Sequence, residues 1–173
     1  DISGNTADSY GAVMGDVNND GALVIYVANY NGQNKLWINH GSGGFTASDI
    51  TGDTGDSYGA VMGDVNNDGA LDIYVANDTM PNFLYINDGQ GNFSELGLVR
   101  SVAFDSRGGA NGSMGLDLGD YNGDLLPDLC VSNYEQESFG VYENQGQGMF
   151  LHASDKTGLG TLGGVFVSFG TVF

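Results

Sequence analysis

The sequence DSYGAVMGDVNNDGAL occupies residues 8–23 and recurs unchanged at residues 56–71. An identical stretch of this length commits the chain to a repeat architecture, in which equivalent units bury their apolar faces by stacking on one another. A looser third copy, MGLDLGDYNGDLLPDL, covers residues 114–129. Each copy continues in a similar way: IYVANYNGQNKLWINHGSGGF, then IYVANDTMPNFLYINDGQGNF, then CVSNYEQESFGVYENQGQGMF. Within the second unit, YGAVMG at 58–63 precedes an acidic loop, IYVA at 73–76 and FLYI at 83–86 follow, and the turn DGQG at 88–91 leads to a last short run at Phe93. Runs of β-branched and aromatic residues bounded by turn formers predict strands, and no run carries a helical period.

Four short strands in a unit of about 50 residues point to an all-β chain built as a β-propeller. A β-solenoid usually has shorter repeats, and a sandwich has no reason to repeat its sequence. The expected blades are 1–55, 56–110 and 111–160. Residues 161–173 are expected to begin an incomplete fourth blade, because FGTVF at 169–173 parallels YGAVM at 10–14 and 58–62. The expectation is thus a partial propeller of about three four-stranded blades plus the first strand of a fourth. Propellers have four to eight blades, so the chain is expected to be a piece of a larger protein or a subunit completed by neighbouring copies at open blade edges.

The acidic loops carry the chemistry. In the second, Asp64, Asn66, Asp68 and Asp72 place oxygen side chains at positions 1, 3, 5 and 9, with Gly69 at position 6 and the Ala70 carbonyl at position 7. Six to eight hard oxygen ligands suit calcium and suit zinc poorly. An EF-hand needs a glutamate at position 12 and flanking helices; Val75 stands there, inside a strand-like run. The first loop offers Asp16, Asn18, Asp20 and the Ala22 carbonyl, but Val24 replaces the last acid, predicting weaker binding. The third offers Asp120, Asn122, Asp124, the Leu126 carbonyl and Asp128, but Leu125 replaces the turn glycine, predicting a distorted loop. Asx-rich turns that bind no metal are the alternative.

Charge favours the metal. The chain has 22 acidic and 4 basic side chains, a formal charge of −18, which self-repels unless cations neutralise it. No basic patch exists to meet nucleic acid or an anionic membrane. No apolar run reaches the length of a membrane-spanning helix. No secretory leader is visible, so a mature form or an excised piece is expected. Cys130, the one cysteine, is expected to be a small buried hydrophobe.

The pattern D-x-N-x-D-G-x-x-D followed by IYVAN resembles the FG-GAP or VCBS repeat of integrin-α-like β-propellers. VANDTMPNFLYINDG at 75–89 is similar to bacterial relatives of cartilage acidic protein. The resemblance implies calcium in the loop between the first two strands of each blade, and an extracellular, periplasmic or cell-surface location.

Catalysis is not expected. His40 sits at a generic turn position and His152 after the last strand of the third unit; no G-x-S-x-G elbow occurs, and GGANGS at 108–113 lacks the lysine of a phosphate loop. Calcium-loaded propellers do occur among polysaccharide lyases, so a carbohydrate-active enzyme stays as an alternative. The leading expectation is a non-enzymatic calcium-binding module for adhesion, ligand binding or assembly, with a protein or carbohydrate partner. Sequons at Asn77, Asn92 and Asn111 occur at the frequency expected by chance.

Overall fold

The computed structural model describes residues 6–162 and 167–172. The chain runs β1 (Asp8–Gly15), β2 (Val24–Tyr30), β3 (Gly32–Gln33), β4 (Lys35–Asn39), β5 (Phe45–Ala47), β6 (Thr54–Gly55), β7 (Ser57–Gly63), β8 (Asp72–Asn77), β9 (Phe83–Asn87) and β10 (Phe93–Glu95). It continues with β11 (Ser113–Gly119), β12 (Asp128–Asn133), β13 (Gly140–Asn144) and β14 (Phe150–His152). These strands make three antiparallel four-stranded sheets, β1-β2-β4-β5, β7-β8-β9-β10 and β11-β12-β13-β14. A two-residue ribbon, β3-β6, joins the first two blades. The architecture is an all-β partial propeller.

The core lies between the blades. Val17, Val24, Tyr26 and Leu36 of the first pack on Ile73, Val75 and Tyr85 of the second. On its opposite face, Tyr74 and Leu84 join Val65 and Val102 against Leu129, Val131, Tyr142 and Phe150. Alternation along β8 sends neighbouring side chains to opposite neighbours, which explains why all six of its residues are buried. Each fully buried Leu, Val or Ile here contributes about 1.5–3 kcal/mol.

The inner strands β1, β7 and β11 share a bulge, between Ser9 and Gly11, Ser57 and Gly59, and Ser113 and Gly115. The glycine after each bulge lets the next blade approach. A Cβ on Gly11 would lie 2.8 Å from the Tyr58 carbonyl oxygen, and one on Gly59 2.7 Å from Leu116 Cδ2. One on Gly115 would lie 2.7 Å from the Gly170 nitrogen, and the Ser132 hydroxyl donates to the Ser168 carbonyl at 2.7 Å. Residues 168–170 therefore lie beside β11 as β11 lies beside β7. Residues 167–172 have no strand assignment, and Phe173 falls outside the described residues.

Two expectations are corrected. Helix was not expected, yet a single turn forms at Ser154–Thr157 (α1), ended by Gly158 at φ 76°, with a 3-10 turn at Leu159–Thr161. Cys130 is only partly buried. It stands where the other blades carry Tyr26 and Tyr74, on the face turned away from the β7–β10 sheet.

Candidate functional site: the acidic loops

Each loop joins the first and second strands of its blade, so all three emerge at the same end of the sheets. Their hydrogen bonds match. Asp16, Asp64 and Asp120 each accept backbone N–H groups from positions 5 and 6: from Asp20 (3.2 Å) and Gly21 (2.8 Å), from Asp68 (3.0 Å) and Gly69 (2.8 Å), and from Asp124 (3.1 Å) and Leu125 (2.8 Å), with Asp120 also accepting from Gly123 (2.7 Å). Asp20, Asp68 and Asp124 accept from the N–H of Ala22, Ala70 and Leu126 at 2.8–2.9 Å. Their other oxygens accept from the amides of Asn18, Asn66 and Asn122. These bonds hold Asp20 and Asp120 below the usual carboxylate range: the Ala22 N–H acts first on Asp20, the Leu125 N–H on Asp120.

The distortion expected of the third loop does not occur. Leu125 adopts φ 68°, in the region Gly21 (83°) and Gly69 (89°) occupy, and makes the same bond to the first aspartate. The loop needs left-handed residues at positions 4 and 6; the first two use Asn19 and Asn67 at position 4, the third Gly123. Glycine has changed places rather than vanished.

Position 9 is a different kind of carboxylate. Asp72 is buried and accepts from the N–H of Val65 (3.1 Å) and Asn87 (2.9 Å). Asp128 does the same with Tyr121 (3.2 Å) and Asn144 (2.8 Å). Burial raises both, Asp72 to about 6. Val24, at this place in the first loop, is packed in the core instead. Among the described residues no three acidic, His or Cys side chains converge tightly enough to hold an ion by themselves, so any cation site here draws on Asn and backbone oxygens as well. One such oxygen stands out: Asn18 Oδ1 is buried and accepts no hydrogen bond, whereas Asn66 and Asn122 Oδ1 accept from Asp68 and Asp124 N–H.

Sequence reasoning missed a second set of residues at these loops. Asn87 Nδ2 donates to the Val17 carbonyl of the preceding loop at 2.7 Å, and Asn144 Nδ2 to the Val65 carbonyl at 2.8 Å. The signal was available: Asn39, Asn87 and Asn144 close the third strand of every unit. The other candidates stay apart. His40 is exposed and meets Thr46 at 2.7 Å; His152 lies edge-on to Tyr142 and meets the buried Ser154 hydroxyl at 3.1 Å. Of the sequons, Asn77 is fully buried and bonded to Pro81, which excludes a glycan there.

The FG-GAP-like repeat pattern matches residues 16–75 and again residues 64–131. The chain belongs to the FG-GAP-like repeat family. Both matches begin at the first aspartate of an acidic loop and run into the second strand of the following blade, so this FG-GAP-like chain shares with its family the stretch that carries these loops. No curated protein matches its sequence. Among solved structures, an Agrocybe aegerita lectin described as recognising non-reducing terminal N-acetylglucosamine is similar in fold, with a TM-score of 0.50 and 20% identity. The match covers 80% of this chain and 36% of the lectin, so the FG-GAP-like chain spans about a third of that protein's length.

Proposed function

We propose that the chain is a non-enzymatic, calcium-stabilised binding module that works outside the cytoplasm, in adhesion, ligand capture or assembly. The supporting observation is the repeated loop: Asp64, Asp68 and Asp72 with the Asn66 amide and the Ala70 carbonyl recur with matching hydrogen bonds at Asp120–Asp128, and recur without the last acid at Asp16–Asp20. This all-oxygen set fits calcium, and the unpartnered Asn18 Oδ1 supplies a ready ligand in the first loop. Calcium, when bound, would neutralise part of the −18 charge. A millimolar-calcium compartment suits loops of this kind, and a glycan is the first ligand class to screen, given the lectin of similar fold.

Titration calorimetry should show calcium binding, and millimolar calcium should raise the melting temperature over chelated protein. Asp64→Ala should weaken binding at the second loop by at least about tenfold. An unchanged melting point in calcium and in chelator would end this reading.

A further inference from the structure

We propose that Asn87 and Asn144 are positioning residues that tie each acidic loop to the next, so that cation binding in one loop raises the affinity of its neighbour. The inference rests on the reading of the loops as calcium sites. Each asparagine serves two loops at once. The Asn144 backbone N–H donates to Asp128, the position-9 carboxylate of the third loop, at 2.8 Å. Its side-chain amide donates to Val65 O at 2.8 Å, one residue before Asn66, a candidate ligand of the second loop. Asn87 repeats this, with its N–H on Asp72 at 2.9 Å and its amide on Val17 O at 2.7 Å, one residue before Asn18.

The grip is reinforced on both sides. The same amides also donate to Leu71 O (3.0 Å) and Pro127 O (3.1 Å), the residues preceding the position-9 acids. The asparagine oxygens accept from Gly89 and Gly91, and from Gly146, fixing the turn that follows. That turn lies against the preceding loop: a Cβ on Gly148 would sit 3.4 Å from Asn66 Cβ, and one on Gly91 3.7 Å from Val17 Cγ2. Asn87 and Asn144 are both about 1% exposed, so their amides have no water to fall back on. Ordering Asp128 in a filled third loop holds Asn144, which holds the backbone beside Asn66. The ordering cost is then shared between sites, and the effect is reciprocal.

Tyr121 makes the third loop readable, because it is the aromatic residue within the three acidic loops. Terbium chloride titrated into the protein, with Tyr121-sensitised emission as signal, reports binding there. In the wild-type background, Asp64→Ala, which impairs the second site, should weaken terbium binding at the third by about fivefold or more. In an Asn144→Ala background the same substitution should change it by less than about twofold, while Asn39→Ala should leave the coupling intact. If Asn144→Ala does not fold, Asn87→Ala serves for the first two loops, read by calcium calorimetry with and without Asp64→Ala. A third loop indifferent to Asp64→Ala, or coupling that survives loss of the asparagine, overturns the inference and leaves the calcium sites standing. Absence of terbium and calcium binding in the wild type overturns both.

Discussion

Leu125 shows how a single residue can keep a loop that its own chemistry opposes. A leucine at φ 68° is held by its N–H bond to Asp120 and is 86% exposed, so its side chain gains little from burial. Leu125→Gly should stabilise the protein by about 0.5–1 kcal/mol, the left-handed strain relieved outweighing the added freedom of the unfolded chain; urea unfolding measures it. The sequence marked this position but hid the compensation, which lies two residues earlier at Gly123. Asp53 is a second residue whose behaviour depends on surroundings that no local pattern reveals. It is fully buried and accepts from Tyr26 Oη and Asn34 Nδ2, both at 2.6 Å. Burial raises its pKa. Below about pH 3.9 it is neutral folded and unfolded. As pH rises the unfolded chain ionises first, so stability falls until the folded value is passed. Asp53→Asn lacks this penalty. Its stability deficit relative to wild type should therefore shrink between pH 4 and pH 7, as followed by urea midpoints.

At the scale of elements, the blades are sewn together by polar side chains at the end opposite the acidic loops. Ser9 donates to Asn29; Asn34 accepts from the Asn29 N–H and donates to Ser57; Ser57 donates to Asn77; Asn82 accepts from the Asn77 N–H and donates to Ser113; Ser113 donates to Asn133. Asn34→Ala would leave Asn29 N–H, Asp53 and Ser57 short of partners in a buried site, and should cost about 3 kcal/mol in chemical denaturation. The exposed Asn92→Ala should stay within about 0.5 kcal/mol. Strands, blades and loop positions were legible because each is written in adjacent residues and written three times. The relay was not, because Asn29 and Asn34 look like ordinary turn formers and the residue Asn34 reaches in the next blade, Ser57, is distant in sequence. Phe139 marks where the relay changes, occupying in the third blade the place of Asn34 and Asn82. The turn at Ser154–Thr157 was illegible for another reason: four residues carry no period.

For the whole molecule, charge and packing pull in opposite directions. A chain of −18 with its apolar surface shared between blades is held by contacts that its own field opposes. Chelated protein should melt at higher temperature as sodium chloride rises from about 50 to 500 mM, through screening alone. Calcium should give a larger rise at a small fraction of that ionic strength; equal responses at matched ionic strength would reduce its role to screening. Among the described residues no helix is long and apolar enough to cross a membrane.

The placement of the two asparagine systems has a mechanical consequence. One pins neighbouring blades at the loop end and the other at the opposite end, with the apolar layer between. A panel fixed along one edge can swing; a panel fixed along both must be sheared off whole. Under load, adjacent blades should let go together rather than peel apart.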